Sequence, residues 1–390
     1  MFPNRLFTIL LLFVFTPAFA TGKPPAEAAG DLPAERSLGT LEKVALIDGD
    51  MPTGITVSGD GRIFICIPRW EKGIKTTVAE LVDGVPVAYP SKPLQDYRSR
   101  QDSDHFISVQ SVVVGPAGRL WILDTGRPQF QQAERGGPKL MAIDLASGRI
   151  EKKIVLPPDV ALPTTYLNDV RFDLSRGEEG TAFITDSAAH GGIIVVDLAA
   201  GDAWRRLTNH RSVQPAKRFL PIVEAQPLMA RPADADAQYI DTGSDGIAIG
   251  AKGERLYYCP LASRRFYSVG IDALTDRSNN DKQTTLTIID HGDRGFASDG
   301  LESDAAGYVY LTNYEDSAVV RWKPDGKWET IAHHPTMLWP DTLAVAADGY
   351  LYMTCNQLHR QAQFHHGQDL RRRPFLIYRT KIGNQPIRLR

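Results

Sequence analysis

SDGLESDAAGYVYLTN, Ser298 to Asn313, sets Asp299 eight residues before Gly307 and the aromatic Tyr310 three residues after that glycine. The same interval joins Thr53 to Gly61, Gln110 to Gly118, Asp169 to Gly177, Asp245 to Gly253 and Asp341 to Gly349. An aromatic follows the glycine by three at Phe64, Trp121 and Tyr352 as well, and is displaced to Phe183 and Tyr257 in the other two copies. Between anchor and glycine the residues are apolar or alternate, as in GITVS, SVVVG, GIAIG and TLAVA, and a second apolar run follows the glycine. Each copy therefore reads as a strand, a tight turn and an antiparallel return strand. Glycine suits the turn because it tolerates positive φ.

Anchors recur every 42 to 76 residues, which leaves room for a third and fourth strand in each unit. A β-sandwich can contain several hairpins, but nothing in its construction repeats one internal spacing six times. The expectation is all-β: a six-bladed β-propeller forming a single domain over residues 39–390. The last blade offers TLAVA, YLYMTC and FLIYRTKI, and the N-terminal KVALID supplies its missing strand and closes the ring. Closure brings the strand of Cys66 beside that of Cys355, so a disulfide between them is one expectation. The other is buried free thiols, since the count of three is odd and IFICIP, LYYCPL and YMTCNQ are apolar contexts.

In such a blade the first strand lines the axis, and its start emerges beside the end of the second strand. Gln110, Asp169, Asp245, Asp299 and Asp341 are then ring neighbours around one channel mouth, with Asp124, Asp186, Asn313 and Asn356 just outside them as further ligand-binding candidates. Long loops open on the same rim, and long loops gathered at one end of a rigid scaffold mark a binding face. Facing aspartates repel unless a cation, a guanidinium or a bound proton offsets them. Hard oxygen ligands suit Ca2+ or another divalent cation, whereas the same side chains also suit capping of their own hairpins. Arg371-Arg372-Arg373, in a rim loop, could pair with the aspartates or recognise an anionic ligand. The adjacent pairs His333-His334 and His365-His366 point to opposite sides of an extended chain, unlike the helical spacing of a zinc motif.

The 390 residues are 43% hydrophobic and 23% charged, with a formal net charge of -2 and no long basic run, so a nucleic-acid partner has no electrostatic source. MFPNRLFTILLLFVFTPAFA reads as a signal peptide over residues 1–20, cut after Ala20, and TGKPPAEAAGDLPAERSL as a flexible leader over 21–38. The expectation is a secreted, extracellular or periplasmic protein with no stable membrane anchor after cleavage. No GxSxG elbow, P-loop or GxGxxG dinucleotide fingerprint occurs, which removes the usual sequence support for acyl-enzyme and nucleotide chemistry.

LNDVRFD (Leu167 to Asp173), AFITDS, LYYCPLASRRFYSV, YLTNYEDSAVVRW and above all WPDTLAVAADGYLYMTCNQLHR (Trp339 to Arg360) resemble the major royal jelly protein and Yellow family, over most of the chain after about Leu41. The resemblance implies a secreted six-bladed propeller. Members include proteins associated with dopachrome conversion, amine-binding salivary proteins and nutritional proteins. A more distant likeness is to the gluconolactonase and regucalcin propellers, where a channel metal is held by a first-blade Glu, an Asn and an Asp. There Asp245 or Asp299 resembles the Asp, and Asn168 or Asp169 the Asn; Thr53 stands where the Glu is missing. The implied metal set is Asn168, Asp169, Asp245 and Asp299. Three functions follow. The first is binding of a small polar or aromatic molecule, such as a cationic amine, at the acidic mouth. The second is metal-dependent lactone hydrolysis, and the third a dopachrome-type tautomerase in which a rim carboxylate carries the proton. Asp169, Asp245 and Asp299 are the catalytic candidates of the last two.

Overall fold

The computed structural model describes residues 39–97, 104–115 and 117–389. The expected signal peptide, residues 1–20, and the expected leader, residues 21–38, lie outside these. Six four-stranded antiparallel sheets follow one another in the chain, each ordered from axis to periphery. Blade two is the simplest example: Val109–Val114, Arg119–Asp124, Lys139–Asp144 and Ile150–Val155, hydrogen-bonded in sequence order. Blade six consists of Pro340–Val345, Tyr350–Cys355 and Phe375–Lys381, and the N-terminal strand Leu41–Ile47 pairs antiparallel with Phe375–Lys381 to complete it. The innermost strands touch in ring order, from Gly54–Val57 of blade one round to Pro340–Val345 of blade six and back. The six repeat glycines all sit at positive φ, between 67° and 90°, which is the turn geometry that selects glycine.

Blade faces are apolar because each is buried against a neighbour. Trp121, Leu123 and Leu140 of blade two pack with Val170, Ile184 and Ile194 of blade three in one cluster, and a comparable cluster fills each of the other five inter-blade seams. A seventh cluster, with Phe219, Ile240, Tyr314, Trp339 and Phe364, lies under the rim loops. Those loops are therefore held down by their own core.

Glycines following two anchors serve a different purpose from the turn glycines. A Cβ on Gly246 would lie 2.2 Å from the backbone oxygen of Asp299, and one on Gly300 would lie 2.3 Å from that of Asp341. In the SDG motif the glycine thus lets the next blade approach the axis. Backbone cannot yield as a side-chain tip can, so Gly246→Ala should lower stability by about 1–3 kcal/mol, the usual scale of overpacking. A urea midpoint equal to that of the unsubstituted protein would refute the close approach.

Cys66, Cys259 and Cys355 are all free and buried, so the expected Cys66–Cys355 disulfide is absent. The reason lies in a position that the repeat contains but its anchors do not reveal. Two residues after each blade aromatic come Cys66, Leu123, Thr185, Cys259, Thr312 and Thr354. Thr185 Oγ1 donates to Asp245 O at 2.7 Å, Thr354 Oγ1 donates to Thr53 O at 2.7 Å, and Cys66 Sγ donates to Gln110 O at 3.0 Å. The thiol replaces a threonine hydroxyl that ties one blade to the next. Burial pushes the Cys66 thiol up to about 12, so it stays a donor.

Candidate functional site

Four of the six anchors stand where the pairing of the first two strands is irregular. Pairing of the first two strands shifts register between Val109 and Ser111, Leu167 and Val170, Ser244 and Ile247, and Pro340 and Leu343. Gln110, Asn168, Asp169, Asp245 and Asp341 occupy these irregular steps. A bulge re-aims a side chain that regular pleating would direct into a blade seam.

Gln110, Asn168, Asp245, Asp299 and Asp341 converge on one cavity of about 390 Å³ at the mouth. Asn168 Nδ2 donates to Asp245 Oδ1. Trp339 Nε1 donates to Asp299 Oδ2 at 2.7 Å, and Asn356 Nδ2 donates to Asp341 Oδ2 at 2.6 Å. All of these carboxylates are buried, and burial is the main cause that raises Asp245 and Asp341 well above the ordinary aspartate range, with the charge of Asp299 next. Asp299 is pushed up to about 7 by burial, while its bonds from Trp339 and Asp245 hold it lower than burial alone would. Upward shifts of this kind are the expected response of buried carboxylates that face one another.

Asp169 does not line this cavity but stays near enough for its charge to help raise Asp245, Asp299 and Asp341. It accepts from Ser111 Oγ at 3.1 Å and is itself raised by burial, with Arg171 opposing. Among the described residues no three His, Cys, Asp or Glu side chains gather into a metal-holding set. The four expected ligands are spent on other contacts in this arrangement: Asn168 Nδ2 donates to Asp245 Oδ1, Trp339 Nε1 donates to Asp299 Oδ2, and Asp169 Oδ1 accepts from Ser111 Oγ.

The outer residues are placed differently again. Asp124 accepts from the backbone N–H groups of Ile107, Ser108 and Gly126 at 2.7–2.9 Å, with Lys139 Nζ 3.2 Å away and both side chains fully buried. Asp186 accepts from Thr165 Oγ1 and Tyr166 N and pairs with Arg205 at 2.8 Å. Asn313 Oδ1 accepts from Glu315 N and Asp316 N, and Asn356 Oδ1 from Leu358 N. These four fold the rim loops and do not line the cavity.

Its wall is aromatic, which the anchor pattern did not reveal. Trp70 and Phe130 stack with centroids 5.5 Å apart, Phe130 and Tyr166 lie 5.5 Å apart, and Trp70 Nε1 donates to Tyr166 OH at 2.5 Å. Tyr166 OH in turn donates to Gln110 Oε1 at 2.9 Å. Gln129 and Phe130 both adopt left-handed backbone, at φ 53° and 56°, an uncommon state for non-glycine residues that tertiary packing must impose. It presents Phe130, 48% exposed, across the opening. The only local signal was position: Trp70 lies just beyond a second strand and Tyr166 just before an anchor. At the channel's opposite end, the segment from Gln385 to Leu389 lies against blades three and five, with Ala305 N donating to Gln385 O and Leu174 N to Leu389 O.

The major royal jelly protein family model matches residues 107–385. Among curated relatives, the chain is 27% identical over 305 residues to Protein yellow of Drosophila erecta, covering 72% of this chain and 54% of that one. It is 23% identical over 358 residues to L-dopachrome tautomerase yellow-f of Drosophila melanogaster, covering 83% and 79%. The chain thus spans about half the length of the Yellow protein and most of yellow-f. Of solved structures, it is similar to the calcium-binding protein regucalcin from Agrobacterium tumefaciens, with a TM-score of 0.53 and 15% identity over 89% of this chain and 98% of that one. A putative gluconolactonase gives 0.54 and 11% over 90% and 94%. At these identities the two structures show a shared fold. No helix among the described residues is long and apolar enough to cross a membrane.

Proposed function

Since the chain belongs to the major royal jelly protein family, we propose that it is an exported propeller whose channel mouth binds a small aromatic molecule carrying a cationic amine. The observation that carries this reading is the pairing of an acidic floor with an aromatic wall in one cavity. The rings of Trp70, Phe130 and Tyr166 offer flat apolar faces and cation-attracting π density, while Asp245, Asp299 and Asp341 offer charge to an ammonium group. A cation favours the ionised carboxylates, so binding is coupled to proton release. Export is supported by the signal-peptide pattern of residues 1–20.

Isothermal titration with tryptamine at pH 8 tests the reading, with indole as the uncharged comparison. Saturable binding of tryptamine should exceed that of indole, and Asp245→Asn or Trp70→Ala should weaken it about tenfold, which corresponds to about 1.4 kcal/mol. Equal binding of both compounds would remove the role given to the acids.

A second reading, proton-transfer isomerisation, draws on Asp299. A carboxyl poised at about 7 can both give and take a proton near neutral pH, and the relative yellow-f is named a dopachrome tautomerase. Dopachrome decolourisation no faster than in buffer would dispose of it.

A further inference from the structure

Two rim loops cross beside the mouth and enclose a second cavity, of about 730 Å³. One carries the hairpin Ile222–Val223 and Gln226–Pro227, which turns through Glu224 and Ala225 at positive φ. The other follows the second strand of blade six. They are stitched together where Arg231 N donates to Gln363 O at 2.8 Å and His366 N donates to Arg231 O at 2.7 Å. Leu228 and Phe364 border both cavities and form the partition between them.

The charge in this chamber has the opposite sign to that of the channel. Its two carboxylates are already engaged: Glu224 by His359 at 2.7 Å and Arg360 at 2.5 Å, Asp369 by Arg371 at 2.7 Å. His359 and then Arg360 hold Glu224 down to about 2, so it remains an ionised partner to them. Arg371 also reaches Glu71 at 2.5 Å, and so belongs to the loop and not to the channel aspartates. Arg231 and Arg372 line the same chamber with no carboxylate partner among the described residues; the Arg231 guanidinium donates to Pro227 O at 3.2 Å. His359 is 4% exposed, and its Nδ1 has no hydrogen-bond partner. Val223, Leu228, Phe364 and Leu370 give the wall an apolar part, and Gln226, His365 and His366 line it as well.

We propose that this chamber is a second ligand site, for a small organic anion whose carboxylate or phosphate group engages Arg231 and Arg372 while its apolar body rests on Leu228 and Phe364. Guanidinium groups bind such oxyanions through paired, charge-assisted hydrogen bonds. The volume exceeds what an inorganic ion would fill, and the apolar wall would give such an ion nothing. The site stands independently of the channel reading, because its residues and its ligand charge both differ.

The test is isothermal titration of the full chain at low salt with phenyl phosphate, benzoate, inorganic phosphate and phenol. Saturable binding of phenyl phosphate or benzoate is expected, the stronger of the two identifying the oxyanion, with phenol silent and inorganic phosphate weaker. The double variant Arg231→Gln/Arg372→Gln should lose at least about tenfold in affinity while keeping its thermal midpoint. Lys327→Gln, on an exposed blade-five turn, removes a cation elsewhere and should change nothing. Absence of saturable binding by both aromatic anions, inorganic phosphate binding as tightly as they do, or unchanged affinity in the folded double variant would each overturn the proposal.

Discussion

Replacing Lys139 with methionine should cost about 3–5 kcal/mol of unfolding free energy, the usual cost of stripping one partner from a buried ion pair. Lys139 and Asp124 are both fully buried and 3.2 Å apart. Asp124 already accepts three backbone N–H groups from the two segments that open onto the rim, so it must stay in place after its counter-charge is gone. The methionine fills similar volume, so the loss reports charge and not a cavity. Chemical denaturation measures it directly. Tryptamine binding by the folded fraction should be unaltered, because neither residue borders the mouth cavity. A midpoint unchanged by the substitution would mean that Asp124 is not the anchor of those loops.

The second large effect is in pH dependence, and its sign is the reverse of the usual acid denaturation. Asp299 has a raised proton affinity in the folded chain, about 7 against an ordinary 3.8. Between those limits Asp299 binds more proton in the native state than in the unfolded state, so its contribution to stability falls as pH rises. Below the lower limit both states are protonated and the contribution is constant; above the upper one the full cost of burying the charge is felt. Asp169, Asp245 and Asp341 are shifted in the same direction, again chiefly by burial, and they steepen the fall. Asp299→Asn should therefore flatten the profile across this window and raise stability at pH 8 by an amount on the order of a few kcal/mol. The asparagine oxygen can still accept from Trp339 Nε1, which keeps that contact. Urea midpoints of the wild type and of Asp299→Asn measured at several pH values decide the matter; profiles that run parallel from pH 4 to 7 would show that Asp299 does not hold a proton in that window.

Part of this architecture is written in short stretches of sequence. A strand followed by a glycine turn is a local event, so six copies of one spacing were enough to count blades and to predict that the N-terminal strand closes the sixth. The same spacing located Gln110, Asp245, Asp299 and Asp341 at one mouth, because positions equivalent in a repeat become neighbours when the repeat is bent into a ring. Asp169 obeys the spacing yet accepts from Ser111 outside the cavity wall, and the outer residues from Asp124 to Asn356 spend their oxygens on rim-loop N–H groups and nearby side chains. Spacing specifies where a residue sits along a strand, whereas the bulge beside it and the groups across the seam determine its direction.

Local spacing was thus enough for an all-β ring of six blades, its closure, and the rim on which acids would gather. Tertiary structure alone decided that Trp70, Phe130 and Tyr166, drawn from three separate segments, form one wall. It also decided that the Cys66 and Cys259 thiols bond to the next blade and that no thiol pairs with another, and that the arginines of the last loop face a chamber of their own. The physical reason is range: hairpins are stabilised by neighbours a few residues away, while a cavity is the space left between loops whose positions depend on everything packed beneath them.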